Sequence, residues 1–487
     1  MRPGAPLGES VWELLHQALN LYRDDPHAAA VLHHHLSRFE QPLRIAVAGP
    51  WRSGKSTLVN AIMGEEVAPV EGEDGRQVFT WYEDGPTPEV TAYTADGSAR
   101  ELAVTRSAGG MRVDLGGWQS DQAADVVVKW PTRALRHATL VDTPAVTSGA
   151  ENDGNPIMDR ILREADAVLY LTRDARSSDL GFLHAAQEGG VARSAPINML
   201  LVLARADEIG GGRVDALQTA KQLARRQYRD PEVNSLCMGV VALGGLVALA
   251  GRVLTESDYA PLAALAAMPR AELEGLLLSA DRFVSTQLPA PVGAEARRAL
   301  LGRLGIFGVR LATTLVRTGC DSRAKLAAEL VRRSGLTELR ESMGRYFTDR
   351  ADVLRARSAL VVLESVLRQH FRPGSRELLA WVEYLQSTTH DFRELRLLAA
   401  LQDPQLGFDA ERTAEAQRLV GGNGVDLTAR LGADPDASAA ELWELSSYAL
   451  HRWQHHAEDP VRNLAQRRAA GVVVRSCEAM LVRLSAR

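Results

Sequence analysis

Nine consecutive residues, Gly49-Pro50-Trp51-Arg52-Ser53-Gly54-Lys55-Ser56-Thr57, carry the most readable chemistry in this chain. They match GxxxxGK[ST] in full, follow the apolar run 43–48 and open a helical run over 57–63. That is the strand–loop–helix context such a loop requires. Its glycines let backbone N–H groups wrap phosphate oxygens, whose charge faces the positive end of the helix. Lys55 should reach the β- and γ-phosphates, and the Ser56 hydroxyl should ligate Mg²⁺.

Two further stretches complete the expected site. Thr139-Leu140-Val141-Asp142-Thr143-Pro144-Ala145 reads as a strand ending in DTP. Asp142 is expected to serve Mg²⁺ through a water. Leu200–Ala204 leads into Arg205-Ala206-Asp207, with Asp207 where a carboxylate would accept hydrogen bonds from guanine N1 and N2. Arg205 could lie along the base by its stem, while Ala204 offers no polar group. Val240–Gly245 falls where a last base-contacting loop belongs, without a serine. If Asp207 is incidental, the chain is instead a P-loop ATPase that binds ATP more tightly than GTP.

The surrounding patterns supply the elements that must hold these residues. Short β-rich runs at 43–48, 78–82, 90–94, 126–130, 139–141, 167–171, 199–204 and 238–242 alternate with helical patterns, which predicts a mainly parallel sheet covered on both faces. Beyond Pro289 the pattern is helical: 294–316, 322–333, 336–370, 376–401, 410–420, 439–456 and 460–484, with breaks at Arg372-Pro373-Gly374 and Gly421–Gly424. Before the loop, 10–40 reads as two helices, the first started by a Ser10/Glu13 capping box and the second by Asp25-Pro26. The expected organisation is N-terminal helices at 1–41, an α/β P-loop domain at 42–288 and an elongated α-helical bundle at 289–487, on which the first helices pack. Adjacent His33, His34 and His35 spread around their helix and are not read as a metal site.

Composition narrows the partners. With 56 basic and 61 acidic side chains the chain carries a net charge of −5, so nucleic acid is not the expected partner. Cys237, Cys320 and Cys477 lack metal or redox spacing and read as buried thiols of a reducing compartment. The first ten residues lack the basic-then-apolar order of a signal peptide, and the apolar run 238–251 is too short to cross a bilayer. A cytoplasmic protein with at most peripheral membrane contact is expected. Only Lys55, Lys129, Lys221 and Lys325 are lysines, which sets Lys55 apart in an arginine-rich chain.

These residues resemble the bacterial dynamin-like GTPases of actinobacteria. The likeness rests on Pro42–Gly49, Lys55–Ala61, Arg205–Gly210, Phe307–Arg310, Arg333–Leu336 and Arg350–Leu354, and so spans the helical part as well. It implies a G domain, a neck built from terminal helices and a trunk whose tip touches anionic membrane at the inner face. It also implies GTP or GDP with Mg²⁺ as ligands, and self-association or pairing with a second dynamin-like protein. Candidate tip residues are Phe371 and Arg372 at one helix break and Leu406 and Phe408 at another. Trp51-Arg52-Ser53 is similar to the Tyr-Arg-Thr of guanylate-binding proteins, where the arginine acts as an internal finger, so Arg52 joins Lys55 as a candidate catalytic residue.

The departures bear on hydrolysis. The family has a threonine that closes over Mg²⁺ where this chain has Gly75 and Arg76, with Thr80 the nearest substitute. Ala145 stands where glycine usually turns its N–H to the γ-phosphate. Two functions are therefore expected: a GTPase that remodels or tethers membrane, or a hydrolysis-deficient GTP-binding partner of a more complete dynamin-like protein.

Overall fold

The structure, a computed structural model, describes residues 7–68, 78–94, 96–107, 110–114, 123–146, 156–173, 180–187, 197–288, 292–401 and 406–485. Its centre is a sheet whose strands in chain order are β1 (Leu43–Ala48), β2 (Phe79–Asp84), β3 (Glu89–Thr94), β4 (Ala99–Ser107), β5 (Gly110–Asp114), β6 (Ala123–Trp130), β7 (Ala138–Asp142), β8 (Ala167–Thr172), β9 (Met199–Leu203) and β10 (Val240–Ala242). Their spatial order is β10-β9-β8-β1-β7-β2-β6-β3-β4-β5. The first five are mutually parallel; β2 enters antiparallel to β7, and the β3–β5 edge is antiparallel. The sequence pattern missed β4 and β5.

The parallel strands are apolar throughout because helices cover both faces. Along β1, Ile45 and Val47 join one core cluster, while Ala46 and Ala48 join another on the opposite face. Alternation of successive side chains produces that split. Strand ends fixed by this sheet therefore meet at one edge, where the phosphate-binding loop begins.

The helices α1 (Leu7–Leu21) and α2 (Pro26–Ser37) pack on the helix Ala351–Gln369. Asp25 caps α2 by accepting from the Ala28 amide at 3.0 Å. The capping box expected at Ser10 is absent. Ser10 lies inside α1 and is buried, since the apolar stripe starts one turn earlier than the cap signal. The Tyr22 hydroxyl donates to the His370 carbonyl at 2.7 Å and meets Ser375 Oγ at 3.0 Å, tying the first helix to the turn after 369. Helical runs expected as single pieces, 336–370 and 376–401, each break into two, at Phe347–Arg350 and at Thr389.

The expected boundary at 288/289 falls within one hydrophobic cluster. Helices Ala294–Arg317 and Arg323–Ser334 bury Leu300, Leu304, Phe307, Leu311, Leu326 and Leu330 with G-domain residues such as Leu203, Leu217 and Leu262. Residues 292–334 thus pack as part of the G domain, because their apolar faces find the helices that follow β10. Ala294–Arg317 is long and apolar enough to cross a membrane, but half of its most apolar stretch is buried inside the protein. The helices beyond Arg350, called the trunk after the expected organisation, end in the antiparallel pair Ala439–Glu458 and Leu464–Ser485.

Candidate nucleotide site

The phosphate-binding loop joins β1 to α3 (Lys55–Met63). Gly49 has φ +152°, and a Cβ there would lie 2.5 Å from the Leu171 carbonyl oxygen, so only glycine fits beside β8. Gly54, at φ +97°, sits at the N-cap of α3 and turns the chain so that the first helical amides face the loop. Lys55 is 2% exposed, and its Nζ donates to the Gly49 and Pro50 carbonyls at 3.4 and 3.2 Å. The ammonium is thereby already held at the centre of the loop, where phosphate oxygens can take over from those carbonyls.

Ser56 Oγ donates to Asp142 Oδ2 at 2.7 Å. The sheet register sets this pair, because Asp142 is opposite Val47, two residues before the loop. A hydroxyl and a carboxylate converging at a helix N-terminus form an oxygen donor set suited to Mg²⁺. The residues present fit the ion that the loop motif implies.

The segment after β7 is anchored to the loop. Thr143 Oγ1 donates to the Val47 carbonyl at 3.1 Å, and the Val146 amide to the Gly49 carbonyl at 3.1 Å. Thr80 lies in β2, directly opposite Asp142 in the antiparallel register and half-buried. Its strand pairing holds it beside the carboxylate. Gly75 and Arg76 lie outside the described residues. Tyr82, two residues along the same face, buries a hydroxyl with no hydrogen-bond partner among the described residues, and burial together with the Asp142 charge pushes its pKa well up.

On the base side, Ala206 N donates to the Leu243 carbonyl at 3.1 Å, joining the loop after β9 to the loop after β10. Asp207 Oδ1 lies 3.7 Å from where a Gly244 Cβ would stand, an ordinary contact distance, while the Leu217 side chain at 2.9 Å is what a Cβ there would crowd. Burial raises the Asp207 pKa above its ordinary 3.8, and Glu208 adds to that while Arg205 opposes it.

Sequence reasoning missed one connection. Arg205 Nη2 donates to the Arg52 carbonyl at 3.0 Å, and Arg205 Nη1 donates to Glu208 Oε1 at 2.7 Å. Arg205 (φ +53°) and Arg52 (φ +58°) are the positive-φ non-glycine residues among those described. Such backbone costs of order 1 kcal/mol or more and persists where surrounding contacts over-determine it. The two strained residues brace each other across the site. Nothing in the amino-acid pattern marks φ, so only the hydrogen bond reveals the brace. The Arg52 guanidinium lies 4.1 Å from the Trp51 ring, and both side chains are exposed. Ser53 is buried beneath the loop, and Thr57, partly buried, faces Gly245.

Comparison with known proteins agrees with this geometry. Residues 45–186 match the dynamin family (Dynamin_N). The isoniazid-induced protein IniC of Mycobacterium tuberculosis, in strains CDC 1551 and H37Rv, is 36% identical over 459 residues, covering 93% of this chain and 92% of IniC. This chain belongs to the dynamin family. Its G domain is accordingly a guanine-nucleotide-binding domain, and IniC is similar to it over both the G domain and the trunk. A solved structure described as an oligomerised bacterial dynamin pair, for long-range sensing and tethering of membranes, aligns with 100% of this chain and 76% of its own. The identity is 15% and the TM-score 0.32, so that likeness carries no argument.

The suggested membrane residues divide. Phe371 is 57% exposed. Arg372 is committed to the protein: it pairs with Asp24, approaches Asp25 at 3.5 Å and lies over the Tyr22 ring. Leu406 is half-buried, and Phe408 packs edge-on against Trp453 with their centroids 5.6 Å apart. Phe408 is thus a trunk packing residue, because its turn folds back over the helix Ala439–Glu458.

Proposed function

We propose that this protein is a dynamin-like GTPase that binds GTP with Mg²⁺ and couples its nucleotide cycle to remodelling or tethering of membrane at the inner face of the cell membrane. The observation that supports this best is the convergence of Lys55, the Ser56–Asp142 pair and the Arg205–Arg52 brace at one edge of the sheet. Lys55 and the α3 amides bind the phosphates, and Asp207 reads the base. Mg²⁺, held by Ser56 directly and by Asp142 through water, would neutralise charge on the β- and γ-phosphates. Arg52 would leave Trp51 to meet charge developing on the transferred phosphoryl group, an effect worth about 10³–10⁵ in rate in related enzymes.

Two substitutions test the reading separately. Asp207→Asn replaces an acceptor by a carboxamide and should move preference from GTP to xanthosine triphosphate, by at least tenfold in affinity. Unchanged GTP affinity, or tighter binding of ATP than GTP in the parent, would remove the guanine assignment. Arg52→Ala should keep GTP affinity and lower turnover at least tenfold; equal turnover would remove the finger.

A second reading, a GTP-binding partner with little hydrolysis, is favoured by Thr80. Its place in the β2–β7 ladder keeps it from swinging as a loop threonine does. Tight GTP binding without turnover, with or without anionic liposomes, would select it.

For membrane contact the turn between the last two long helices is better suited than the Leu406–Phe408 turn. Val461 is 92% and Leu464 55% exposed, with Arg467 and Arg468 exposed one turn on. Apolar tips beside arginine suit an anionic interface. Val461→Asp with Leu464→Asp should abolish flotation with anionic liposomes, and undiminished flotation would exclude this turn.

A further inference from the structure

The turn that joins the helix Arg323–Ser334 to the helix Leu336–Tyr346 carries none of the nucleotide-binding patterns, yet it touches the base side of the site directly. The Gly244 amide donates to the Ser334 carbonyl at 2.9 Å. One residue earlier, the Leu243 carbonyl accepts the Ala206 amide beside Asp207, and the Leu243 amide donates to the Leu203 carbonyl at 2.8 Å. Residues 243 and 244 are therefore held between the Asp207 loop and the turn at 334–335.

The close approach dictates both residues of that turn. Gly335, at φ +91°, ends one helix and starts the next, and a Cβ there would overlap the Ala242 carbonyl oxygen. Only glycine lets the two backbones come so near. Ser334 is 1% exposed; its Oγ donates to the Val331 carbonyl at 2.7 Å and accepts the Leu336 amide at 3.2 Å, which fixes the bend. The support behind the turn is tight. A Cβ on Gly251, in the helix Gly245–Val253 that follows the base loop, would lie 2.8 Å from Val331 Cγ2 and 3.0 Å from the Ala327 carbonyl oxygen. Leu336 and Leu339 share a core cluster with Leu200, Val202 and Leu243. Glu338 pairs with Lys221 in the helix Ala216–Gln227, which follows the Asp207 loop. Arg340 Nη2 donates to the Ile62 carbonyl at 2.7 Å, near the end of α3.

We propose that Ser334 and Gly335 are positioning residues for guanine: they hold the loop after β10, and through Leu243 and Ala206 the Asp207 loop, where the base is read. The proposal rests on the reading of Asp207 as the base-recognising carboxylate. Groups that recognise a ligand must be held to within about 0.5 Å. A methyl group on residue 335 displaces the backbone at 242–244 by more than that, because a carbonyl oxygen and not a flexible side chain lies in its way. Lys55 and the α3 amides grip the phosphates, so base and phosphate affinity should separate.

Titration calorimetry of the full-length protein with GDP and with ADP, which share their phosphates and differ at the base, tests this. Gly335→Ala should weaken GDP at least tenfold and ADP less than twofold, with circular dichroism unchanged. Ser334→Ala is the milder variant should Gly335→Ala fail to fold: it removes only the hydroxyl that fixes the bend, and should weaken GDP about threefold with the same selectivity. In the wild-type chain, GDP should slow hydrogen exchange of the amides at 336–340 more than ADP does at equal saturation, because coupling between two sites acts in both directions. Equal loss of GDP and ADP affinity, GDP affinity unchanged in both variants, or equal protection by the two nucleotides would each overturn the proposal. A wild-type chain that binds GDP no more tightly than ADP would overturn the base reading, and the proposal with it.

Discussion

Replacing Asp166 by asparagine should loosen the N-terminal helices from the G domain. Arg38, just past α2, reaches the turn before β8, where Nη2 meets Asp166 Oδ1 at 2.5 Å with both side chains under 5% exposed. The other carboxylate oxygen accepts the Arg44 amide at 3.0 Å. Arg38 is otherwise left with the Arg163 carbonyl at 3.3 Å and His35 Nδ1 at 3.4 Å. His35 is held neutral, since burial and then the Arg38 charge push its pKa well down. Asparagine would present a neutral amide to a guanidinium that water cannot reach. Breaking a buried pair from one side costs about 3–5 kcal/mol, most of it from the stranded charge. Removing both charges, with Arg38→Met added, should cost less than the two single substitutions summed by about 2 kcal/mol, a coupling typical of residues in contact. Hydrogen exchange of the α2 and β1 amides reads this locally, where a multi-domain melting curve would not. If Asp166→Asn shifts the opening free energy of these amides by less than about 1 kcal/mol, or the double variant equals the sum of the singles, the pair does not hold the two parts together.

Other consequences can be measured directly. Arg205→Ala removes a charged hydrogen bond to the Arg52 carbonyl, worth about 1.5–3 kcal/mol, so GTP and GDP affinities should fall together by tenfold or more in titration calorimetry. Tyr82→Phe deletes a buried hydroxyl that has no partner among the described residues and should leave the chain as stable or raise its unfolding free energy by about 1 kcal/mol; a clear loss in denaturant titration would mean the hydroxyl has a partner. In the trunk, burial alone would raise the Glu394 carboxyl, but hydrogen bonds from His390 and Ser476 and the Arg430 charge bring it down to about 2 from an ordinary 4.5. A depressed folded pKa stabilises above the unfolded value, so this contribution, on the order of 3 kcal/mol, is present above pH 4.5 and fades as pH falls toward 2. Glu394→Gln should remove that part of the acid sensitivity in a pH series of denaturation curves.

Much of the site was legible because its chemistry is local. A phosphate loop needs glycine where φ is positive and lysine and serine at fixed spacing, and Gly49, Gly54, Lys55 and Ser56 stand at those places. Asp142 was readable because a strand that ends in an acid declares itself by pattern, and the structure puts it 2.7 Å from Ser56. The Arg205 brace was not readable: arginine there looked like a substitute for base stacking, yet its guanidinium spans 153 residues of sequence to a carbonyl. Phe408 looked like an exposed aromatic because the break beside it was visible and the helix that covers it, some 40 residues later, was not.

The amino-acid sequence by itself determined the phosphate-binding loop, the apolar parallel strands and the helical character of everything after the sheet. Each follows from conformational preference or burial pattern within a short window. Tertiary structure decided which helices belong to which core, and so moved 292–334 into the G domain. It also decided that Thr80 faces Asp142 from a strand. Those outcomes depend on pairings between distant segments, whose free energy is set by surfaces that meet only once the chain has folded.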